Sequence, residues 1–128
     1  MNEPVSQQDL IQLTRDAFRL LDAWMIPKEL QPQLLGLPTG LRKREINRYR
    51  MGMALPREGD SYRRIATLLR IDDMTRKMFP HSALSACLWV TTPNLRYGSR
   101  TPLDTMLEGG LEGMQRVEQS LATPGGWY

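Results

Sequence analysis

The side chains best suited to chemistry form a basic segment at residues 41–50. Arginine guanidinium groups can pair with guanine edges and asparagine amides with adenine, while lysine contacts phosphates. If the segment is helical, Leu41 and Ile46 can anchor it to a core, supported by Tyr49. A solvated helix with no ligand is the alternative interpretation. The polar residues that remain, which we predict to contact DNA, are Arg42, Lys43, Arg44, Asn47, Arg48 and Arg50.

The distribution of charge favours a polyanion-binding surface in the same part of the chain. The 128 residues include 17 basic and 14 acidic groups, a formal net charge of +3. Residues 41–80 hold eleven of the basic and five of the acidic groups, whereas the flanking parts are slightly acidic. A concentrated basic block attracts polyanions through steering and counterion release. The positive field therefore originates in the middle third of the chain.

The sequence contains no convincing catalytic, metal or cofactor site. His81 is the single histidine and lies at an expected helix boundary, where a surface or capping role is more common than catalysis. Cys87 is the single cysteine, so no second thiolate is present to share a zinc ion. The glycines at 109–113 lack the lysine–serine/threonine pair of a phosphate-binding loop. We expect a protein that is not an enzyme and has no metal and no cofactor.

Three features bear on the compartment in which the protein works. A single cysteine cannot form an internal disulfide, which favours a reducing environment. Residues 1–4 lack the basic and apolar regions of a secretory signal. No apolar run approaches the roughly 20 residues that span a bilayer. The expected location is cytoplasmic, with no membrane contact.

Apolar residues recur at helical spacing almost throughout, and no alternating strand pattern is present. The sequence therefore predicts an all-α fold. Ser6 and Thr101 are expected N-caps, and Pro102 suits the first helical position. The expected helices cover residues 6–25, 27–35, 39–50, 57–69, 71–79, 82–90, 101–110 and 111–121.

The second helix, the turn at 36–38 and the third helix have the dimensions of a helix-turn-helix unit. In that interpretation the basic segment is the recognition helix. Because two helices often pack in this way without binding DNA, the unit is also compatible with a purely structural role.

The carboxy-terminal third contains the stretch Trp89-Val90-Thr91-Thr92-Pro93-Asn94-Leu95-Arg96-Tyr97-Gly98-Ser99-Arg100-Thr101-Pro102-Leu103-Asp104. This stretch resembles the toxin-binding domain of MbcA/ParS/Xre-type antitoxins. In that family a tryptophan-ended helix leads into a proline–asparagine turn, a glycine-containing loop and a helix that begins with threonine or serine, proline, leucine and an acid. The likeness extends over residues 18–122, with Ser99 where a second glycine is usual and Tyr49 where tryptophan is common.

The resemblance implies an Xre-like helix-turn-helix region at 1–70 and a toxin-binding domain with a C-terminal tail at 71–128. It implies a homodimeric antitoxin that covers the active site of a RES-domain toxin, an enzyme that consumes NAD or uses it for ADP-ribosylation. Repression of its own operon is also implied. The expected toxin-binding residues are Asn94, Tyr97, Arg100, Gly109, Gly110, Gly125, Gly126, Trp127 and Tyr128.

The tail at 124–128 has a chemistry of its own. Its proline and glycines cannot continue a helix, so Trp127 and Tyr128 can project as aromatic anchors for a partner. A frayed tail without function is the alternative. For the whole protein, the alternative function is a stand-alone helix-turn-helix transcriptional regulator, for which neither the 93–103 signature nor the aromatic tail is needed.

Overall fold

Six α-helices and two short 3-10 turns account for the regular structure of residues 5–123, the part of the chain that the computed structural model describes. Within those residues no strand forms; the one β-type contact is a bridge between Asn94 and Arg100. The predicted all-α fold is therefore confirmed. The helices are α1 (Gln7–Ala23), α2 (Gln31–Leu34), α3 (Lys43–Met51), α4 (Ser61–Met78), α5 (Ala83–Trp89) and α6 (Pro102–Ala122), with 3-10 turns at Lys28–Leu30 and Leu95–Tyr97.

The predicted N-caps of α1 and α6 are both present as reciprocal capping boxes. The Ser6 hydroxyl accepts from the Asp9 N–H, and the Asp9 carboxylate accepts from the Ser6 N–H. At α6 the Thr101 hydroxyl accepts from the Asp104 N–H at 3.0 Å, and the Asp104 carboxylate accepts from the Thr101 N–H at 3.1 Å. Such a cap stabilises a helix by about 1 kcal/mol. Both boxes use residues three positions apart, so they form locally.

Three predicted helix boundaries are wrong: the starts at residues 39 and 57, and the break between residues 69 and 71. The third helix begins at Lys43 and not at residue 39, because Gly40 has φ of +83° and turns the chain first. The predicted helices at 57–69 and 71–79 are one helix, α4, which begins only at Ser61 because Gly59 has φ of +82°. No glycine or proline interrupts residues 61–78, so the helical hydrogen bonds continue past Ile71.

The predicted break at residues 109–110 is confirmed as a kink inside α6. Gly110 has φ of +58° and ψ of −136°, a conformation that residues other than glycine disfavour. The helix resumes on the far side of the kink with Met114 and Val117 fully buried. The kink therefore lets both halves of α6 face the core.

Helix α4 is the central element of the core. It packs against α1, α5 and α6, and one cluster of buried side chains includes residues from all four. Because α4 spans residues 61–78, it crosses the predicted boundary at residue 70, and both predicted regions share this core. The division into two regions stays a prediction. The largest fully buried side chains include Trp24, Leu21, Leu34, Leu68, Ile71, Met106 and Met114.

Candidate functional site

The segment with the antitoxin-like sequence folds into a closed loop at residues 94–100. The Asn94 N–H donates to the Arg100 carbonyl at 2.9 Å, and the Ser99 N–H donates to the Asn94 carbonyl at 3.1 Å. The Asn94 side chain also accepts from the Arg96 N–H at 2.9 Å and so caps the 3-10 turn. Gly98 and Ser99 both have left-handed backbone angles. This 94–100 loop is therefore held closed by its own first and last residues.

Tyr97 anchors the 94–100 loop to α5 and α6. Its ring meets the Trp89 ring edge-on, with centroids 6.2 Å apart and planes at 79°. Its hydroxyl shares a hydrogen bond with the Ser120 hydroxyl. Burial raises the pKa of the Tyr97 hydroxyl above its ordinary value, so it stays protonated at neutral pH. Tyr97 therefore fixes the loop to the side chains of α5 and α6 on which it packs.

Arg100 joins the end of the loop to the start of α6. Its guanidinium donates to both carboxylate oxygens of Glu108, one at 2.7 Å, and lies 3.9 Å from the Asp104 carboxylate. The hydrogen bond from Arg100 lowers the pKa of Glu108. The Thr101 backbone N–H lowers the pKa of Asp104, with the Thr101 hydroxyl as the second cause. Both acids are thus charged at neutral pH, and their carboxylates hold the Arg100 guanidinium in place.

Asn94, Tyr97 and Arg100, predicted to bind a toxin, thus all make contacts within the chain. The exposed residues of the loop are Leu95, Arg96, Gly98, Ser99 and Arg100; Leu95, at 85% exposed, is the large apolar one among them. Sequence reasoning missed Leu95. The signal in the sequence is that residues 82–95 contain no charged residue, so the parts of this stretch that reach the surface are apolar or uncharged.

Two further exposed leucines lie on α5, at Leu84 and Leu88. They are four residues apart, so they share one face of the helix. The opposite face of α5 is buried, through Ala86 and Trp89. The uncharged stretch thus provides both core and surface.

Gly109 and Gly110 lie apart from the loop, in the kink of α6, where Arg64 approaches closely. A Cβ at Gly110 would stand 3.1 Å from the Arg64 Nη2 atom, closer than ordinary contact. The Gln33 side chain donates to the Leu107 carbonyl at 3.0 Å, and Arg64 Nη1 donates to the Gln33 carbonyl at 3.1 Å. The kink is therefore attached to both α2 and α4.

The predicted DNA-contacting residues divide into two groups. Leu41, Ile46 and Tyr49 pack against the core, which confirms how the segment was expected to be anchored. Four cationic side chains of the segment, those of Arg42, Lys43, Arg44 and Arg48, are exposed. Among residues 5–123, no acidic side chain lies within 4 Å of their charged groups. The helix-turn-helix unit stays a prediction, since α2 has only four residues. The exposed group is Arg42, Lys43, Arg44, Asn47 and Arg48.

Arg50 is instead held inside the protein. It donates to both Asp22 oxygens, at 2.9 and 3.1 Å, and to the Gln31 side-chain oxygen. Its guanidinium carbon lies 4.7 Å from the centre of the Phe18 ring, within cation–π range. The hydrogen bond from Arg50 is the main cause that lowers the pKa of Asp22. Arg50 therefore ties α3 to α1, and DNA contact by this residue stays a prediction.

A cleft of about 1030 Å³ brings parts of both predicted sites together. Lys43, Asn47 and Arg50 line one side, and Gly109 and Gly110 line the other. The 94–100 loop is not part of its lining. Residues that are distant in sequence thus share one concave surface.

The described part of the chain offers no group of three histidine, cysteine or acidic residues placed to hold a metal ion. None of its helices combines the length and the apolar character that crossing a membrane requires. The predicted toxin-binding residues of the tail, Gly125, Gly126, Trp127 and Tyr128, lie outside the described residues.

Comparison with known proteins identifies one curated relative. The chain is 32% identical over 104 residues to the uncharacterized protein y4oB of Sinorhizobium fredii, and the alignment covers 81% of this chain and 77% of that protein. No family model matches the chain. No solved structure matches it either.

Proposed function

We propose that this chain, which belongs to the same family as y4oB of Sinorhizobium fredii, is an antitoxin. It binds a cognate RES-domain toxin as a homodimer and covers the active site with which that toxin consumes NAD or transfers ADP-ribose. The observation that carries the proposal is the 94–100 loop, in which the antitoxin-like residues brace one another and leave Leu95 exposed.

The bracing matters for affinity. A loop that must become ordered on binding loses conformational freedom, at about 0.5–1.5 kcal/mol for each immobilised flexible side chain. In this loop Asn94, Tyr97 and Arg100 are already held by hydrogen bonds and ring packing. Leu95 and Arg96 therefore meet a partner with little further ordering of the backbone. A preorganised apolar residue beside an arginine suits a protein interface.

In the proposed complex the tail supplies a second contact. Gly125, Gly126, Trp127 and Tyr128 form this contact, with the two aromatic residues as anchors in the toxin's cleft.

Co-expression with the toxin from the adjacent reading frame tests the proposal. We expect the two proteins to co-purify and the antitoxin to abolish NAD loss in a purified assay. Deletion of residues 125–128 should weaken inhibition at least tenfold while the complex still forms through the loop. A toxin that stays fully active beside an excess of full-length protein would exclude the antitoxin function.

DNA binding by α3, and through it repression of the operon, is the second candidate function. It is supported by Arg42, Lys43, Arg44 and Arg48, which are exposed and have no acidic partner within 4 Å among residues 5–123. Such cations are free to replace the counterions of phosphates. A protein with this function alone would have no need of the braced loop.

The salt dependence of binding to the operon's promoter DNA tests this function. Replacing Arg42, Arg44 and Arg48 by alanine should reduce the slope of log affinity against log salt by about one unit for each phosphate that the variant no longer neutralises. Replacing Arg76 and Lys77, which pair with Asp72 and Asp73 on α4, should leave the slope unchanged. Equal slopes for the wild type and the α3 variant would exclude α3 as the DNA-binding element.

A further inference from the structure

The cleft between α3 and the kink of α6 has the size of a small-molecule site. Its volume of about 1030 Å³ lies just above the roughly 300–1,000 Å³ typical of ligand pockets. Apolar side chains contribute to its walls from three elements: Leu41 from the turn before α3, Ile46 from α3 and Leu107 from α6. An apolar body of moderate size can therefore pack against these side chains.

Arg64 provides a fixed cation in the lining. Its side chain is 17% exposed and is held by Asp60, which accepts from Nε at 2.7 Å, and by the Gln33 carbonyl, which accepts from Nη1. Nη2 has no acceptor among residues 5–123 and stands beside Gly110, which also lines the cleft. Two nitrogens of the guanidinium, Nε and Nη1, are thus held by the protein, and Nη2 is available to donate to a ligand.

Two lysines add positive charge at the edges of the cleft. Lys28 and Lys43 are exposed, and within the described chain neither has an acidic group within 4 Å. The two acids of the lining are Glu29 and Glu108, and Arg100 already neutralises Glu108. The lining therefore contains four basic side chains and two acidic ones. The basic side chains are those of Lys28, Lys43, Arg50 and Arg64, and the two lysines are the ones with no acidic partner in the described chain.

We propose that this cleft binds a small organic anion. Its phosphate, carboxylate or sulfonate lies between Arg64 Nη2 and Lys43, and its apolar body packs against Leu41, Ile46 and Leu107. Charge-assisted hydrogen bonds to a half-buried guanidinium favour the anion, while the apolar walls select against inorganic ions alone. The site requires neither toxin nor DNA, so it is independent of the proposed function.

The matched probes 8-anilinonaphthalene-1-sulfonate and N-phenyl-1-naphthylamine test the proposal, because they share an aromatic body and differ in the sulfonate. In fluorescence titrations of the full chain we expect one sulfonate bound per chain, at least tenfold tighter than the neutral probe. Lys43→Glu should weaken sulfonate binding by about tenfold or more and leave the neutral probe unaffected. Arg63→Glu is the matched control, since it makes the same charge change at an exposed α4 position outside the cleft.

The binding position is checked by amide chemical shifts, which should change at Gly40 and Gly110 on addition of the sulfonate. If circular dichroism shows that Lys43→Glu has lost helix, Lys28→Glu replaces it, with the same expectation. Equal affinity for the two probes, equal effects of the Lys43 and Arg63 variants, or shifts confined to Leu84 and Leu88 on α5 would each overturn the proposal.

Discussion

At the scale of single residues, those that carry the antitoxin resemblance bind mainly to one another. Asn94 caps the 3-10 turn, Tyr97 packs on Trp89, and Arg100 is fixed by Glu108. Their types were recognisable from sequence, whereas their partners were not, because Glu108 lies eight residues beyond Arg100. Their internal contacts make Leu95 the residue at which to test binding.

Leu95→Asp should weaken the toxin complex without unfolding the protein. Leu95 is 85% exposed, so the free chain loses little packing, whereas a charge at an apolar contact must lose its water on binding. We expect at least a tenfold loss of affinity by calorimetry with the purified toxin. Met51→Asp, at a residue 79% exposed at the end of α3, is the control and should bind normally. Unchanged affinity for the Leu95 variant would remove the loop from the interface.

Ser99→Gly should stabilise the fold. Ser99 has φ of +66°, and a left-handed conformation costs a residue with a side chain about 1–2 kcal/mol, which glycine avoids. Because glycine also loses more freedom on folding, the net gain should be under about 1 kcal/mol in urea unfolding. Gln115→Gly, at an exposed helical position of α6, should instead destabilise by about 1 kcal/mol. Equal destabilisation by both would contradict strain at Ser99.

At the scale of elements, the starts of α1 and α6 were predicted well, whereas those of α3 and α4 were not. Ser6 and Thr101 begin α1 and α6 as expected, because each capping box closes over three residues. The predicted start of the third helix at residue 39 was wrong, because the position of α3 depends on packing of Ile46 and Tyr49 and on Arg50. The attachment of α3 to α1 through Arg50 and Asp22 is thus a tertiary feature.

The attachment of α3 predicts a pH dependence. The pKa of Asp22 is lowered below its ordinary 3.8 in the fold, mainly by the Arg50 hydrogen bond. As pH falls, the unfolded chain takes up the proton first, so the stabilisation is present above about pH 4 and lost as pH falls through the folded pKa. Asp22→Asn should therefore be less stable than wild type at pH 7, and the difference should shrink towards pH 3.

Chemical denaturation at a series of pH values measures this difference. Asp73→Asn is the control, because it removes one acid from an exposed pair with Lys77 within α4. Its stability difference from the wild type should be small at every pH. A difference for Asp22→Asn that stays constant between pH 7 and pH 3 would contradict the role of its charge.

At the scale of the whole molecule, one core predicts one unfolding transition. Helix α4 packs on α1, α5 and α6 across residue 70, and Arg70 forms an ion pair with Glu118 of α6. Tryptophan fluorescence and far-ultraviolet circular dichroism should therefore give coincident thermal transitions. A fragment of residues 1–70 should show little helix, because it lacks the surface that covers α4. Two separate transitions, or a folded fragment, would indicate two independent domains.

The sequence by itself determined the all-α class, the capped helix starts, the break at Gly110 and the existence of the 94–100 loop. These features depend on apolar spacing and on residues a few positions apart, so local physics specifies them. Tertiary structure decided the continuous α4, the internal role of Arg50, the exposure of Leu95 and the cleft. Each of these needs residues far apart in the chain to meet: the cleft combines Lys28 with Gly110, and no local pattern encodes that approach.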